Sequence, residues 1–349
     1  MNLLDRLLLK DFQPISTLET PQTEVLRCGI PAIDVHTHIG LRASRPEDQG
    51  GWAVEDPAAL VGMLDEVGVR AVVNLDGNWG AVLERNLDRY DRSFPGRIFT
   101  FCRLDYELCR EPGYGEKLAD LVEDSVRRGA RGLKIAKTLG LAVEGPDGAL
   151  LMPDDAGLDP VWARCGELSV PVLIHVADPV TFFRPPDRFN EGLVSLERHL
   201  DWQFHGGRFP SFHQLIDSLC ALVERHSQTQ FIGAHVGCYS ENLRFVGEMC
   251  DRYPNFHPEI SARIEQLGRQ PYSAREFLVK YQDRVLYGTD GVPDAERHRL
   301  YFRFLETKDE NFPCRNEPGA WRIHGMHLEP EVLAKIYRDN AVGLLRLDG

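Results

Sequence analysis

Eight short apolar runs, each followed by a segment of helical period, constrain the fold of this chain more than any other feature. The runs are AIDVHTHI (32–39), RAVVNLDG (70–77), RIFTFCRL (97–104), RGLKIAK (131–137), VPVLIHVAD (170–178), TQFIGAHVG (229–237), NFHPEIS (255–261) and RVLYGTD (284–290). Most are near-continuous rather than alternating, the pattern of parallel strands covered on both faces. Between them lie helical segments such as DPAALVGMLDEVGV, KLADLVEDSVRRG and FHQLIDSLCALVERH, several closed by Gly or Pro before the next strand. Eight alternating units favour a closed ring over an open sheet. The expected fold class is therefore α/β, a (β/α)₈ TIM barrel, and 349 residues suit one such domain with insertions. Residues 1–30 precede the first strand and read as an extension, packed on the outside or closing the barrel bottom.

Two connections are too long for plain turns. One runs from about 178 to 212 and carries FFRPPDRFNEGL and LDWQFHGGRFPS; the other runs from about 291 to 329 and contains ENFPCRNEPGAW. Both leave C-terminal strand ends, where barrel active sites are built, and long ordered loops in compact domains usually carry function.

The formal net charge of −13 argues against a nucleic-acid surface, which needs clustered Lys and Arg. It leaves room for an anionic small molecule, because a local Arg cluster can work inside an acidic protein. None of the eight cysteines forms a Cys-x-x-Cys pair, so zinc-knuckle and thioredoxin motifs are absent, and reduced, buried thiols are expected. The start, MNLLDRLLLKDF, is broken by Asp5, Arg6 and Lys10 and lacks the pattern of a signal peptide; no apolar run reaches spanning length. The expectation is a cytoplasmic protein with a small-molecule substrate, no membrane or nucleic-acid partner, and a homodimer left open.

The strongest chemical signal is Asp34-Val-His36-Thr-His38 at the end of the first run. Side chains two apart on a strand share a face, so the three should project together into the barrel. Two imidazoles side by side on a strand make half of a zinc-type site, though alone they read equally as polar residues leaving a strand. His175 near the end of the fifth run, His235 near the end of the sixth and Asp290 ending the eighth change the balance. Metal-type ligands at the same end of several strands converge on one mouth.

With these residues in view the sequence resembles the metal-dependent amidohydrolase superfamily, and more closely its "amidohydrolase 2" branch, which contains aminocarboxymuconate-semialdehyde decarboxylase. The matching residues are the D-V-H-T-H motif, His175, His235 and Thr289-Asp290, and the resemblance covers roughly residues 32–345. It implies a distorted (β/α)₈ barrel with one catalytic divalent metal, held by His36, His38, His175 and Asp290, with His235 as general acid/base beside the water or substrate. Three imidazoles and one carboxylate form a borderline ligand set, so zinc is expected, with manganese or iron as competitors. Asp290 could also accept a hydrogen bond from the bound water. Some members carry a carboxylated lysine on the fourth strand that bridges two metals; Lys134 occupies that strand, and a substrate-binding or electrostatic role fits a mononuclear site better. Asp34 could orient a ligand imidazole or bond backbone structurally, and Glu259 is a further inward carboxylate.

For the substrate, Arg184, Arg188 and Arg208 flank the aromatic loop with Phe182, Phe183, Trp202 and His205. Guanidinium forks suit a carboxylate and aromatic walls a planar body. Arg42, Arg45 and Trp52 could join them, while Trp321-Arg322-Ile-His324-Gly reads as packing for the final loop. The first expectation is hydrolysis of an ester, lactone or amide bond by metal-activated water. A decarboxylase (lyase) of the same family is the alternative, and a non-catalytic metal-binding barrel the reading from a different class.

Overall fold

A computed structural model describes residues 2, 5–8, 11–12, 14–42, 50–314 and 321–347; Arg45 lies outside them. Strands form in seven of the eight apolar runs: β1 (Ala32–Thr37), β2 (Val69–Asn74), β3 (Ile98–Thr100) with β4 (Cys102–Arg103), β5 (Leu133–Ile135), β6 (Val172–Ile174), β7 (Phe231–Gly233) and β8 (Phe256–Pro258). The third run is split at Phe101, whose N–H still donates to Asn74 O (2.9 Å). All neighbouring pairs are parallel, in chain order.

The eighth run, 284–290, is not a regular strand, yet it closes the ring. On one side Leu286 N–H donates to Pro258 O (3.0 Å) and Ile260 N–H to Leu286 O (3.2 Å). On the other side Val35 N–H donates to Tyr287 O (3.0 Å), Asp290 N–H to His36 O (2.9 Å) and His38 N–H to Gly291 O (2.8 Å). The architecture is the distorted (β/α)₈ barrel. Ile33, Val35, Ala71, Val73, Leu75, Phe101, Leu173, Ile232, Ala234 and Leu286 make one buried cluster contributed from around the ring, which fills its interior. A larger cluster lies between strands and helices, with Trp162, Phe231 and Phe256 fully buried.

Local chemistry sets the helices. Pro57–Val67 starts on the Asp56 side chain, which accepts from Ala58 and Ala59 N–H, and stops at Gly68 with φ 85°. Phe212–Arg225 begins with a Ser211/Gln214 capping box. The 178–212 connection holds short helices at Val180–Phe183, Leu193–Arg198 and Leu200–Trp202. The 291–329 stretch is less of a loop than its composition suggests. It contains the helix Ala295–Glu306 and an antiparallel pair of Phe312–Pro313 with Arg322–Ile323.

The extension runs along the outside: Thr23 N–H and Oγ1 donate to the Asp309 carboxylate (2.6 and 2.7 Å), and Arg303 donates to Gln22 (2.8 Å). All eight cysteines are free, and burial pushes several thiols up, Cys102 to about 12. No helix among the described residues is long and apolar enough to cross a membrane.

Candidate metal centre

The candidate ligands meet at the C-terminal mouth of the ring. Atoms of His36, His235 and Asp290 lie within 4.8 Å of one another. His36 Nε2 and His38 Nε2 stand 3.6 and 3.4 Å from Asp290 Oδ1. Two ligands at about 2.0–2.2 Å from a tetrahedral ion are about 3.4 Å apart, so this spacing suits a shared cation. His175 joins through its ring, 4.4 Å from that of His235. Its buried Nε2 lies 3.3 Å from the Oδ1 of Asp178, which also pairs with Lys137. The donor set of His36, His38, His235 and Asp290 fits a divalent metal, with the His175 ring packed beside that of His235.

The second ring nitrogens explain how the first are aimed. His36 Nδ1 donates to Glu259 Oε1 (3.0 Å), His38 Nδ1 to Asp76 Oδ1 (2.7 Å) and His235 Nδ1 to Ser261 O (2.9 Å). Carboxylates and carbonyls only accept, so each neutral ring carries its proton on Nδ1 and turns the Nε2 lone pair inward. Glu259, fully buried, also accepts from His235 N–H (2.7 Å), Ser261 N–H (2.6 Å) and Ser261 Oγ (2.8 Å). Glu259 is thus the organiser of this side of the mouth. Asp76, missing from the sequence reading, plays the same part for His38 and also pairs with Arg103. It ends the second run, the position rule that singled out Asp290, and only the absence of a motif around it hid it.

Asp34 behaves otherwise. The register of β1 shifts between Asp34 and Thr37, so simple alternation does not hold along the motif. Asp34 accepts from His36 N–H (3.0 Å), Thr289 N–H (3.1 Å) and Thr289 Oγ1 (2.6 Å), tying β1 to the eighth run. Of its two expected roles it takes the backbone one. Burial pushes its carboxyl up to about 7.

Lys134 is buried with Nζ 3.4 Å from His36 Nε2, and burial brings it down to about 8. Burial also holds His36, His175 and His235 below the usual imidazole range, with Lys134 adding to the effect on His36 and His175 on His235. Burial alone would raise Asp290, but the charges of His36, His235, His38 and Lys134 outweigh it and hold the carboxylate well below its ordinary value.

Above it opens a cavity of about 410 Å³ lined by His175, His235 and Asp290, by Lys137, Arg198, Arg263 and Arg269, and by Phe182, Trp202 and Trp321 among others. Trp202 stacks between Phe182 (5.7 Å) and His199 (3.8 Å). Arg184, Arg188 and Arg208 are exposed and lie outside this lining, the latter two over Phe189 and Phe209. The loop does reach the site, but through Trp202 and Arg198. Trp52 packs on Tyr90 and Arg89, away from the cavity, and Arg42 is exposed. Trp321, read from sequence as packing, lines the cavity with Arg269 4.2 Å over its ring.

The chain matches the amidohydrolase family over residues 33–347. No curated protein sequence matches it. Among solved structures it is similar to 2,6-dihydroxybenzoate decarboxylase from Rhizobium, at 16% identity and TM-score 0.56, covering 92% of this chain and 100% of that one. It is similar to a dihydroxybenzoic acid decarboxylase from a Polaromonas species with bound manganese and 2-nitroresorcinol (15% identity, TM-score 0.56, 91% and 97% covered). A third is 5-carboxyvanillate decarboxylase from Novosphingobium aromaticivorans, complexed with manganese and a nitrobenzoic acid (13%, TM-score 0.56, 94% and 100%). At these identities the likeness carries the fold.

Proposed function

Because the chain belongs to the amidohydrolase family, we propose that it is a metal-dependent decarboxylase acting on a small aromatic carboxylic acid. The observation that carries this reading is the cavity: Phe182, Trp202 and Trp321 wall it, Lys137, Arg198, Arg263 and Arg269 alternate with Asp178, Glu191 and Glu265 around it, and its floor is His175, His235 and Asp290. The aromatic walls suit a planar ring, and a cation held at the floor would take its anionic group. The similar structures bearing decarboxylase names, two with manganese, support it as well. They favour decarboxylation over the hydrolysis expected first.

A divalent ion held by His36, His38, His175 and Asp290 would supply the positive charge that grips an anionic oxygen of the substrate; zinc and manganese both suit the set. The remaining work falls to side chains. The bond from the ring carbon to the carboxylate breaks, its electron pair stays on the ring carbon, carbon dioxide leaves, and His235 delivers a proton to that carbon. Burial holds His235 below the usual imidazole range in the free protein, and the negative charge of an entering substrate would favour its protonated form. Phe182, Trp202 and Trp321 hold the ring and exclude water.

The test offers metal-loaded protein 2,6-dihydroxybenzoate and 5-carboxyvanillate, and separately 4-nitrophenyl acetate and a simple lactone. Carbon dioxide release from either acid is the expected result. Ester or lactone turnover without carbon dioxide from either acid would return the chain to the hydrolase reading.

A further inference from the structure

The family match begins at residue 33, and residues 14–31 before it run over the surface without helix or strand. Surface tails ordinarily add exposed, replaceable contacts. This one completes a buried acid. Asp309 is 1% exposed, and its carboxylate accepts from Thr23 N–H (2.6 Å), Thr23 Oγ1 (2.7 Å) and Arg303 Nε (2.8 Å). Without Thr23, Arg303 would be its one remaining donor among the described residues, and a buried carboxylate short of donors is costly. Two further contacts run beside this one. Arg303 donates to Gln22 Oε1 (2.8 Å) while its guanidinium lies 4.2 Å over the ring of buried Phe312, and Asn311 Nδ2 donates to Ser16 Oγ (3.2 Å).

Asp309, Arg303 and Asn311 all hold the strand pair at the edge of the cavity. Phe312–Pro313 pairs with Arg322–Ile323, Arg322 Nε donates to Asn311 Oδ1 (2.9 Å), and Gly325 N–H donates to Asp309 O (2.8 Å). Trp321 stands at the start of that second strand, accepts at its carbonyl from Cys314 N–H (3.1 Å) and lines the cavity. Ser16, Gln22 and Thr23 are therefore each one residue removed from the segment that carries an aromatic wall.

We propose that the extension is a strap that sets the position of Trp321 in the cavity, with Asp309 as the positioning residue through which it acts. The bonds of Ser16, Gln22 and Thr23 go to Asn311, Arg303 and Asp309 and not to the imidazoles or Asp290, so the strap acts on the aromatic wall and leaves the metal centre alone.

Protein labelled with 5-fluorotryptophan carries five fluorine signals, one for each tryptophan, and Trp321→Phe identifies the one that matters. A variant lacking residues 1–23 keeps the bond from Cys28 N–H to Val67 O (3.1 Å) that ties the chain to the barrel. In it the Trp321 signal should move toward its position in urea-unfolded protein, with the Trp79 and Trp162 signals and the metal content unchanged. Asp309→Asn should move the same signal in the same direction. Thr23→Val, nearly isosteric, guards against a folding defect; it loses the Oγ1 bond, keeps the N–H bond and should give a smaller movement. On the aromatic-acid reading above, KM for the acid turned over should rise about two- to tenfold in the truncated protein, the range of one aromatic contact, with kcat changed less. A Trp321 signal that stays in place in the truncated protein overturns the proposal. An equal movement of the Trp162 signal overturns it too, since the whole barrel would then have loosened. If the Trp321 signal alone moves but neither acid releases carbon dioxide, the strap stands and the decarboxylase reading fails.

Discussion

Glu259→Gln tests whether the metal centre is shaped by the residues behind it. The carboxylate accepts four hydrogen bonds while fully buried, from His36 Nδ1, His235 N–H, Ser261 N–H and Ser261 Oγ. Glutamine is nearly the same size, so no cavity opens. Its NH₂ group, however, must replace one oxygen. Placed at Oε2 it meets Ser261 N–H donor against donor; placed at Oε1 it faces His36 and His235. Either way at least one charge-assisted bond worth about 1.5–3 kcal/mol is lost and at least one donor is left unsatisfied. A partner behind a metal ligand is worth about 10–100-fold in metal affinity, because it fixes ring orientation and basicity. Competition against a chromophoric chelator should show a fall in that range, accompanied by a lower melting temperature. Ser261→Ala is the control: it removes Oγ, 3.0 Å from His36 Nδ1, but keeps the carboxylate, and affinity should move less than about threefold. A Glu259→Gln protein that melts earlier yet binds metal normally would refute the reasoning and leave Glu259 a purely structural brace.

Purified protein should hold close to one equivalent of divalent metal, and His36→Ala or His38→Ala should lose it; two equivalents by elemental analysis would bring Lys134 forward as a bridging ligand. His235→Asn should keep its metal while losing about 10²–10⁴-fold in turnover, whereas a metal-free variant would move His235 into the ligand set, which its proximity to His36 and Asp290 allows. His298, buried beside Tyr287 Oη (2.8 Å), is held down to about 4 by burial. The folded state therefore resists a proton that the unfolded chain accepts near 6.5, so stability is complete above that pH and is lost as pH falls toward 4, by up to about 3 kcal/mol. Urea titrations at pH 7 and pH 5 should differ accordingly, and the difference should shrink in His298→Phe, whose ring can keep the stacking on Phe302.

The barrel was legible because its runs are buried on both faces and repeat with their helices; even the irregular eighth run was visible as RVLYGTD. The convergence of His36, His38, His175, His235 and Asp290 was legible for a related reason, since strand ends in a parallel ring share one mouth. Three things were not. The register shift in β1 is invisible in Asp34-Val-His36, so the outcome for Asp34 could not be chosen. Asp76 sits in NLDG with no histidine or apolar signature to mark it. Composition shows that a loop is basic but not which side of it faces inward: Arg184, Arg188 and Arg208 are exposed and outside the lining of this cavity, while Arg263, from another connection, lies in it.

What joins these late discoveries is backbone conformation at the strand ends. His235, Val236 and Cys238 have φ of 58°, 59° and 62°, and Ala262 and Asp290 have 53° and 69°. Left-handed backbone costs about 1–2 kcal/mol for a residue with a Cβ, and more trouble still for β-branched Val236. Four of these five units are held by a bond to another element: Val236 N–H to Glu259 O (2.6 Å), His235 N–H to the Glu259 carboxylate, Asp290 N–H to His36 O, and Ala262 N–H to Tyr301 Oη. A strand leaving the barrel in an ordinary extended path would carry His235 and Arg263 away from the centre. The sharp turns bring them back, and the same Glu259 that orients the His36 ring helps to keep the turn that presents His235. The orientation of the His36 ring and the placement of His235 and Arg263 are therefore one mechanical unit, so a change at Glu259 should be felt at His235 and Arg263 before it is felt at Asp76 and His38 on the other side of the mouth.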